Sequence, residues 1–304
     1  MKKNKLGHSE LYVSEIGFGC MSLTGDQQTN ERLLHEAISN GVNFFDTADL
    51  YDKGMNEISV GKALKGKRSD ILLASKGGNE WTEGKDGWNW NPTKSYLKTA
   101  VEKSLHRLQT DYLDLYQLHG GTMEDPIEET IEAFDELVKE GKIRYYGISS
   151  IRPNVIKTYL EKSNITSIMM QFSLLDRRPE EWFSVIEEKN VSIIARGPVA
   201  KGLLTDNYDK KLSEQGYLTY SGEDLKMTLQ QLRNFANTNE LTLQELALRY
   251  SLDHSVVATV IPGASQVDQV KENIIASTKP ALTEDTKKQL QMMTKEWKYE
   301  QHRD

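Results

Sequence analysis

Eight short apolar segments alternate along the chain with eight longer amphipathic segments, and this alternation constrains the fold more than any other feature. The short segments are apolar on both faces, which is typical of buried parallel strands. The predicted strands span residues 16–19, 43–46, 71–76, 113–118, 144–149, 167–171, 192–195 and 258–261. The predicted helices begin near Thr29, Glu57, Pro92, Asp125, Arg152, Pro179, Gly222 and Val267.

Eight strand–helix units in 304 residues predict an α/β fold, specifically a (β/α)8 TIM barrel. Two segments lie outside these units. Residues 3–13 predict an N-terminal β-hairpin that covers the barrel floor, and residues 283–298 predict an extra C-terminal helix. Because no linker or low-complexity segment divides the chain, we expect a single domain over residues 1–304.

The main alternative fold is a doubly wound dinucleotide-binding domain. The segment GFGCMS at 17–22 follows a predicted strand and nearly matches the GxGxxG fingerprint. However, Ser22 occupies the third glycine position, and Glu36 does not end a strand. These departures and the eight-unit count favour the barrel.

Composition excludes several classes of protein. A single cysteine rules out a disulfide framework and a cysteine-built zinc site, and we expect no metal site. The net charge of −7 argues against nucleic acid as a general partner. No apolar run approaches the roughly 18 residues that cross a bilayer, and the start of the chain lacks the apolar core of a signal peptide. We therefore expect a cytoplasmic protein with no membrane partner.

Four polar residues lie at or after the ends of three predicted strands. Asp46 ends the second strand, Tyr51 lies five residues later, Lys76 ends the third strand and His119 follows the fourth. Functional side chains of a TIM barrel lie at these carboxyl ends. Each residue alone has an ordinary structural explanation, such as a helix cap or a loop aromatic, but together they form a chemically sensible set.

The chemistry of this set favours proton donation to an oxygen atom. A tyrosine has a pKa of about 10, and an adjacent ammonium group lowers that pKa. A carboxylate beside the lysine keeps the ammonium charged. Asp46, Lys76 and Tyr51 can therefore act as one unit while His119 polarises a substrate carbonyl. Since no cysteine or serine nucleophile with a matched base is evident, we expect the attacking group to be a hydride from a cofactor.

Several motifs resemble those of the aldo-keto reductase superfamily, of the bacterial NADPH-dependent oxidoreductase type. They occur in family order as GFGCM, FFDTADLYDKGMNEISVG, LLASKGG, YLDLYQLH, GISS, GPVAKGLL and VIPGASQVDQVKEN, and they cover nearly the whole chain. The resemblance implies a (β/α)8 barrel that binds NADPH (NADP⁺) in extended form and reduces aldehydes and ketones to alcohols by direct hydride transfer. Asp46, Tyr51, Lys76 and His119 match the catalytic tetrad of the family.

The resemblance also implies a set of cofactor-binding positions. Ser149 and Gln171 would hold the nicotinamide carboxamide, and residues 198–204 would wrap the pyrophosphate with backbone amides. Two residues depart from the family, since Ser150 replaces the usual asparagine and Arg196 replaces the usual stacking tyrosine. The implied cofactor-binding residues are Gly19, Met21, Ser149, Ser150, Gln171, Arg196, Pro198, Lys201, Gly202, Leu203, Gly263, Ser265, Gln269, Glu272 and Asn273.

The adenosine end and Arg196 give two expectations about the cofactor. Ser265, Gln266 and Lys271 lie where the family contacts the 2′-phosphate, so we expect NADPH to be preferred over NADH. If Arg196 faces the nicotinamide, its flat guanidinium can stack on the ring, and its charge should disfavour the oxidised, cationic ring. The alternative is that Arg196 pairs with a surface carboxylate.

Two long connections bear on binding. Residues 77–91 carry Trp81, Trp88 and Trp90, which form either an aromatic wall of the substrate pocket or packing against the barrel rim. Residues 201–222 form a long polar stretch after the seventh strand, and we expect a cofactor lid there.

Two other functions remain open from the sequence. One is an NADPH-binding redox sensor or regulatory subunit with slow turnover. The other is a Schiff-base aldolase on the same barrel, with Lys76 as its nucleophile.

Overall fold

The central element of the fold is a sheet of eight parallel strands. The computed structural model describes residues 1–23, 25–82 and 84–303. Neighbouring strands of the sheet follow chain order, so each connection leads to the adjacent strand. With all strands numbered along the chain, the sheet comprises β3 (Phe18–Gly19), β4 (Phe44–Asp46), β5 (Leu72–Gly77), β8 (Leu113–Leu118), β9 (Ile143–Ser149), β10 (Ser167–Gln171), β11 (Ser192–Arg196) and β12 (Val257–Ile261). Outside the sheet, β6 (Asn79–Glu80) and β7 (Asn89–Trp90) pair in antiparallel fashion.

The first and last strands of this sheet meet and close the barrel. Ile16, just before β3, forms a parallel bridge with Val260 of β12. The Gly17 N–H donates to the Val260 carbonyl at 2.8 Å, and the Gly19 N–H donates to the Pro262 carbonyl at 3.2 Å. These contacts confirm the predicted (β/α)8 barrel.

Helices flank the barrel between successive strands. They are α1 (Gln27–Ser39), α2 (Met55–Ala63), α3 (Lys94–Leu108), α4 (Ile127–Lys139), α5 (Pro153–Lys162), α6 (Phe183–Glu188), α7 (Gly222–Thr238), α8 (Leu243–Leu252), α9 (Val267–Ile275) and α10 (Glu284–Met293). Within residues 1–23, 25–82 and 84–303, no helix has both the length and the apolar character that crossing a bilayer requires.

Three helices differ from the sequence predictions. A single helix was expected between the last two strands, but the chain turns at Glu240 (φ 57°) and begins α8 with a capping box of Thr242 and Glu245. The helix expected near Pro179 starts at Phe183, because a 3₁₀ turn (Arg178–Trp182) precedes it. The C-terminal helix ends at Met293 rather than at residue 298.

An N-terminal hairpin seals the floor of the barrel, as predicted. Strands β1 (Lys3–Lys5) and β2 (Tyr12–Ser14) pair in antiparallel fashion. The Asn4 side chain donates to the Ala258 carbonyl at 2.9 Å, at the amino end of β12. Buried side chains of the hairpin pack against inward-facing barrel residues in one cluster of Leu6, Leu11, Val13, Phe44, Ala74, Leu115, Met169, Ile194, Ala258 and Ile261. Because the hairpin closes this end, the opposite, carboxyl end of the strands is where a ligand can enter.

Candidate active site

A cleft of about 910 Å³ opens at the carboxyl ends of the barrel strands. All four predicted catalytic residues line it. Thirteen of the predicted cofactor-binding residues line it as well, namely Gly19, Met21, Ser149, Gln171, Arg196, Pro198, Lys201, Gly202, Gly263, Ser265, Gln269, Glu272 and Asn273. The cleft therefore collects residues from the first strand to the last helix of the barrel.

Ser150 and Leu203 were predicted in the same set but lie behind the wall of the cleft. The Ser150 hydroxyl accepts the Arg152 N–H at 3.2 Å and so stabilises the turn before α5. Leu203 is buried in the hydrophobic core. Their side chains therefore stabilise the loops around the cleft and do not form part of its surface.

Lys76 is the centre of a buried polar cluster at the base of the cleft. Its ammonium group donates to Asp46 Oδ2 at 2.6 Å, to the Thr47 carbonyl at 2.8 Å and to Tyr51 Oη at 3.1 Å. The Lys76 side chain is 1% exposed and that of Asp46 is 3% exposed. The three N–H bonds of the ammonium group are thus all used, and its position is fixed.

The sequence folds into this cluster because the motif crosses two adjacent strands. Asp46 ends β4, which pairs in parallel with β5, the strand that carries Lys76. Tyr51 begins a 3₁₀ turn (Tyr51–Gly54) in which Asp52 and Lys53 adopt left-handed backbone angles. This sharp turn brings the phenol back over the strand ends, with the ammonium nitrogen 4.9 Å from the ring centroid.

The electrostatic setting of Lys76 keeps it protonated. Burial alone lowers the pKa of a lysine, but the Asp46 carboxylate and the Tyr51 hydroxyl outweigh it, so the pKa of Lys76 is raised. Asp46 is held in turn by Gln117, whose amide donates to Oδ1 at 3.2 Å. The pair is therefore a charged, hydrogen-bonded unit directly beside the phenol.

His119 stands next to Tyr51 in its neutral form. Burial first, and then the charges of Lys76 and Arg196, lower the pKa of His119 to about 3. Its ring meets the Tyr51 ring edge-on with centroids 5.8 Å apart, and its backbone N–H donates to the Gly77 carbonyl at 2.8 Å. Within the described parts of the chain, Nδ1 is buried and has no hydrogen-bond partner. A neutral imidazole in this position can donate one N–H to a substrate oxygen.

Gln171 and Arg196 lie side by side at the ends of β10 and β11. The Arg196 Nη1 donates to Gln171 Oε1 at 2.9 Å, so its partner is this amide and not a surface carboxylate. The Gln171 amide also donates to Tyr217 Oη at 3.2 Å. Tyr217 lines the cleft from the long stretch after β11, and it is absent from the residues predicted for the site. Its signal was an aromatic residue within a segment predicted to cover the cofactor.

Three exposed lysines line the middle of the cleft. Lys201 adopts a left-handed backbone angle (φ 59°) beside Gly202, and Lys210 and Lys211 come from the following 3₁₀ turn. The aliphatic part of Lys211 lies against Gly202. Among residues 1–23, 25–82 and 84–303, none of these lysines has a carboxylate within 4.0 Å. Together with Asp206, which also lines this stretch, they give it an excess of positive charge in a protein of net charge −7.

The far end of the cleft is built from polar side chains around Gly263. The Ser265 N–H and hydroxyl both donate to Gln269 Oε1, at 2.8 and 3.2 Å. Asn273 accepts from Gln244 at 2.8 Å. Ser22, the residue that broke the glycine fingerprint, holds this loop by accepting from the Ala264 N–H and donating to its carbonyl, both at 2.9 Å.

Lys271 lies close to this end without lining the cleft. Its ammonium nitrogen is 3.9 Å from Glu36 Oε1, and its side chain is 54% exposed. The structure thus leaves Ser265 as the cleft-lining member of the predicted phosphate-contacting group.

The lining of this cleft includes none of the three tryptophans of residues 77–91 that the structure describes. Trp81 Nε1 donates to the Asp49 carbonyl at 3.0 Å, and Trp90 Nε1 donates to Asp125 Oδ1 at 2.7 Å. The Trp90 ring packs against Gly78, where a side chain would collide with it, while Trp88 is largely exposed. Trp90 packs against the barrel rim at Gly78 and Gly120, next to His119, and a role of the three tryptophans in the substrate pocket stays a prediction.

Comparisons with known proteins agree with this geometry. Residues 15–294 match the family model described as Aldo/keto reductase family. The chain is 55% identical over 307 residues to a Bacillus subtilis protein named uncharacterized oxidoreductase YqkF, with full coverage of both chains. It is 57% identical to the solved aldo-keto reductase AKR11C1 from Bacillus halodurans in its holo form, with a TM-score of 0.95 and full coverage of both chains.

A more distant relative extends the same relationship beyond bacteria. The chain is 30% identical over 298 residues to a Schizosaccharomyces pombe protein named aldo-keto reductase yakc [NADP(+)], covering 91% of this chain and 87% of that protein. With a family model that matches most of its length, a clustered tetrad and relatives of this identity, the chain belongs to the aldo/keto reductase family of oxidoreductases.

Proposed function

We propose that this protein is an NADPH-dependent oxidoreductase that reduces the carbonyl group of an aldehyde or ketone to an alcohol. The observation that carries the proposal is the contact of the Lys76 ammonium with Tyr51 Oη at 3.1 Å and with Asp46 at 2.6 Å, beside a neutral His119. This arrangement offers a hydrogen-bond donor and a proton donor at the same side of a bound carbonyl oxygen.

The residues of the cleft fit an extended dinucleotide. The volume of the cleft, about 910 Å³, lies within the range of ligand pockets, roughly 300–1,000 Å³. The exposed lysines of the cleft, which have no carboxylate partner among the described residues, suit the negative charge of a diphosphate. When bound, the cofactor would supply a hydride to the carbonyl carbon. The residues that would hold it are Ser149 and Gln171 at the carboxamide, Lys201, Gly202, Lys210 and Lys211 at the diphosphate, and Ser265, Gln269, Glu272 and Asn273 at the adenosine.

Residues of the chain itself would supply the proton that the carbonyl oxygen receives. The His119 N–H would orient and polarise the carbonyl oxygen, and Tyr51 Oη would donate its proton to that oxygen when the carbonyl is reduced. The phenolate that remains on Tyr51 is stabilised by the Lys76 ammonium, which Asp46 keeps charged. Tyr51 then recovers a proton from solvent. General acid catalysis of this kind contributes roughly 10²–10⁴-fold to the rate.

The Schiff-base aldolase is disfavoured by the state of Lys76. An amine attacks a carbonyl only when it is unprotonated. The pKa of Lys76 is raised, and its three N–H bonds are all engaged at 2.6–3.1 Å. The site therefore stabilises a fixed cation rather than a free amine.

The preference for NADPH rests on the adenosine end and on the distant relative. The Ser265 hydroxyl lies at the cleft surface, with the Lys271 cation in the adjacent helix α9. The name of the Schizosaccharomyces pombe relative includes NADP(+). We expect kcat/KM to be higher with NADPH than with NADH, and equal values for the two would contradict this part of the proposal.

The test is a turnover assay on purified protein with a matched tyrosine control. Consumption of NADPH is followed near 340 nm, about where reduced nicotinamide absorbs, against a panel of aldehydes, dicarbonyls and ketones. Tyr51→Phe should lower kcat by roughly 100-fold or more while NADPH still binds. Tyr112→Phe removes a hydroxyl before β8, at the opposite end of the barrel, and should behave like the parent.

The outcomes separate the enzyme from the other candidate functions. Near-parent turnover by Tyr51→Phe would remove Tyr51 from the mechanism. Tight NADPH binding without turnover on any carbonyl would favour a redox sensor. Trapping of a carbonyl compound on Lys76 by borohydride would favour the aldolase.

A further inference from the structure

The side chain of Gln171 is held from behind by a fully buried carboxylate. Asp176 is 0% exposed and lies on a tight turn after β10, where Ser173 and Asp176 exchange backbone hydrogen bonds of 3.2 and 3.0 Å. Its Oδ2 accepts the Gln171 Nε2–H at 2.8 Å. Gln171 thus spans from the core of the loop to the surface of the cleft.

Arg178 fixes Asp176 in one orientation. Its Nε donates to Oδ1 at 2.7 Å and its Nη2 donates to Oδ2 at 2.6 Å, a bidentate contact. The Arg178 guanidinium in turn lies over the Trp297 ring, 4.2 Å from the centroid. Because Arg178 holds both oxygens of Asp176 and is itself packed on Trp297, the Asp176 carboxylate cannot turn away from Gln171.

The chemistry of a carboxylate then determines which end of the Gln171 amide faces the cleft. An ionised carboxylate only accepts hydrogen bonds, so the NH₂ group of the amide must face Asp176. The carbonyl Oε1 must therefore face Arg196, whose Nη1 donates to it at 2.9 Å. An amide oxygen accepts two hydrogen bonds, so one acceptor position remains for a ligand.

We propose that Asp176 is a positioning residue that fixes the polarity of the Gln171 amide, so that the cleft presents an acceptor to the cofactor carboxamide. This inference rests on the proposed function, which places the nicotinamide at this end of the cleft. A bound nicotinamide must then turn its carboxamide NH₂ toward Gln171. The site selects for a cofactor whose ring substituent carries an N–H donor.

The experiment compares two cofactors that differ only in this donor. NADP⁺ carries a carboxamide, whereas its 3-acetylpyridine analogue carries a methyl ketone, which keeps the carbonyl acceptor and lacks the N–H. Dissociation constants are measured by quenching of tryptophan fluorescence, a readout that does not depend on turnover. Since both rings are cations, the charge of Arg196 affects both equally. The parent should bind NADP⁺ roughly five- to tenfold more tightly, the worth of about one hydrogen bond.

Two variants and their combination assign this preference to the Asp176–Gln171 contact. Gln171→Met removes the amide and should bring the ratio of the two dissociation constants close to one. The paired change Asp176→Ala with Arg178→Ala frees the amide without leaving a buried charge unpaired, and it should shrink the ratio to about twofold or less. In the Gln171→Met background, the paired change should leave the ratio unaltered. A merely structural role would weaken both cofactors alike in either background.

Each result decides the inference. An unchanged ratio in the paired variant would show that Asp176 does not set the amide polarity. An unchanged ratio in Gln171→Met would overturn the inference even if the paired variant did not fold. Equal binding of both cofactors by the parent would also overturn it while leaving the proposed function intact, whereas failure of the parent to bind NADP⁺ would defeat the proposed function itself.

Discussion

The two ends of the cleft differ in how their lysines are placed: one end holds a buried lysine paired with a carboxylate, and the other holds exposed lysines. At the catalytic end, the Lys76 side chain is 1% exposed and meets Asp46 at 2.6 Å. Away from that end, Lys201, Lys210 and Lys211 are exposed, and the described parts of the chain place no carboxylate within 4.0 Å of them. These three lysines define what is called the exposed end of the cleft below. A buried ion without a counter-ion costs several kcal/mol, whereas water solvates an exposed ion at little cost. A pre-paired cation suits chemistry, and an unpaired one suits binding of an anion.

This contrast predicts different consequences for substitutions at the two ends. A change at the buried end should alter stability and catalysis together, because the same contacts serve both. A change at the exposed end should alter affinity in a salt-dependent way and leave stability nearly unchanged.

The largest effect is expected from Lys76→Met. It removes the cation beside Tyr51, so kcat should fall by roughly 100-fold or more. It also leaves Asp46 buried without a counter-ion, which should lower the free energy of unfolding by about 3–5 kcal/mol. Urea denaturation and turnover measurements on the same preparations test both effects.

The double variant Asp46→Asn with Lys76→Met separates stability from catalysis. Removing both charges eliminates the uncompensated buried carboxylate, so the unfolding free energy should recover most of the loss. It should stay below the parent value by roughly 1–3 kcal/mol, because the buried amide N–H that Asp46→Asn introduces would lose its partner. Activity should remain lost because no cation faces Tyr51. A double variant as unstable as Lys76→Met alone would mean that the charge pairing is not what stabilises this end.

Local motifs at the barrel mouth were predictable from the sequence because parallel strands align their ends. Strands β8 and β10 have the predicted boundaries, and β4 and β5 differ from the predictions by one residue at one or both ends. Once a closed barrel was assumed, Asp46 and Lys76 had to meet at one mouth. The geometry then depended only on adjacent strands, which is short-range information.

What depended on loops could not be predicted. Tyr217 reaches Gln171 across 46 residues of sequence, and its pKa is raised to about 12, chiefly by burial that no local pattern reveals. No sequence motif points to Asp176, which lies in the turn after β10. Helix α8 was missed because nine of its ten residues are buried, so its sequence lacks a clear polar face, although Thr242 and Glu245 form a recognisable capping box.

Asp49, a carboxyl group at the buried end, sharpens the comparison because it forms no ion pair with any residue that the structure describes. Asp49 is 2% exposed, and the nearby Arg107 is bound to Glu57 at 2.6 Å. Burial first, and then the Glu57 charge, raise the pKa of Asp49 to about 8. At neutral pH the folded protein therefore keeps this group protonated.

We expect Asp49→Asn to stabilise the protein by a few kcal/mol near pH 8. In the unfolded chain the aspartate loses its proton near its ordinary pKa of about 4, whereas the folded protein holds it until about pH 8. The stabilising contribution of the protonated group is complete below about pH 4 and is lost as the pH rises to 8. The difference in unfolding free energy between variant and parent should grow over this window and level off above it. A difference that does not vary with pH would show that Asp49 is ionised in the folded protein.

At the exposed end, we expect the paired change Lys210→Gln with Lys211→Gln to weaken NADPH binding by about tenfold at low salt. Removing two solvated cations lowers the attraction for a diphosphate, and salt screens that attraction over about 10 Å at 0.1 M. The difference from the parent should therefore almost vanish near 1 M salt. Lys5→Gln, on the barrel floor, is the matched control and should bind NADPH like the parent. A loss of affinity that persists at high salt would mean that these lysines shape the loop rather than attract the ligand.

The smallest effect is expected at Arg196, where the two ends meet. Arg196 is exposed, yet its charge contributes to lowering the pKa of the buried His119, so it acts across the boundary. A positive charge beside the nicotinamide should disfavour the oxidised, cationic ring relative to the neutral reduced ring. Because solvent screens an exposed charge, we expect the parent to bind NADPH only about two- to fivefold more tightly than NADP⁺ on this account.

Two substitutions distinguish the effect of the Arg196 charge on cofactor binding from the effect of its stacking on the nicotinamide ring. Arg196→Tyr keeps a flat group, and Arg196→Met keeps neither charge nor plane. If charge governs the preference, both variants should reduce the ratio of the NADP⁺ and NADPH dissociation constants to the same extent, and raising the salt concentration should reduce it in the parent alone. If stacking governs it, only Arg196→Met should change affinity, and it should weaken both cofactors. An unaltered ratio in both variants would mean that the charge of Arg196 does not affect the nicotinamide ring. Arg196 would then belong functionally to the exposed, ligand-binding part of the cleft and not to its catalytic end.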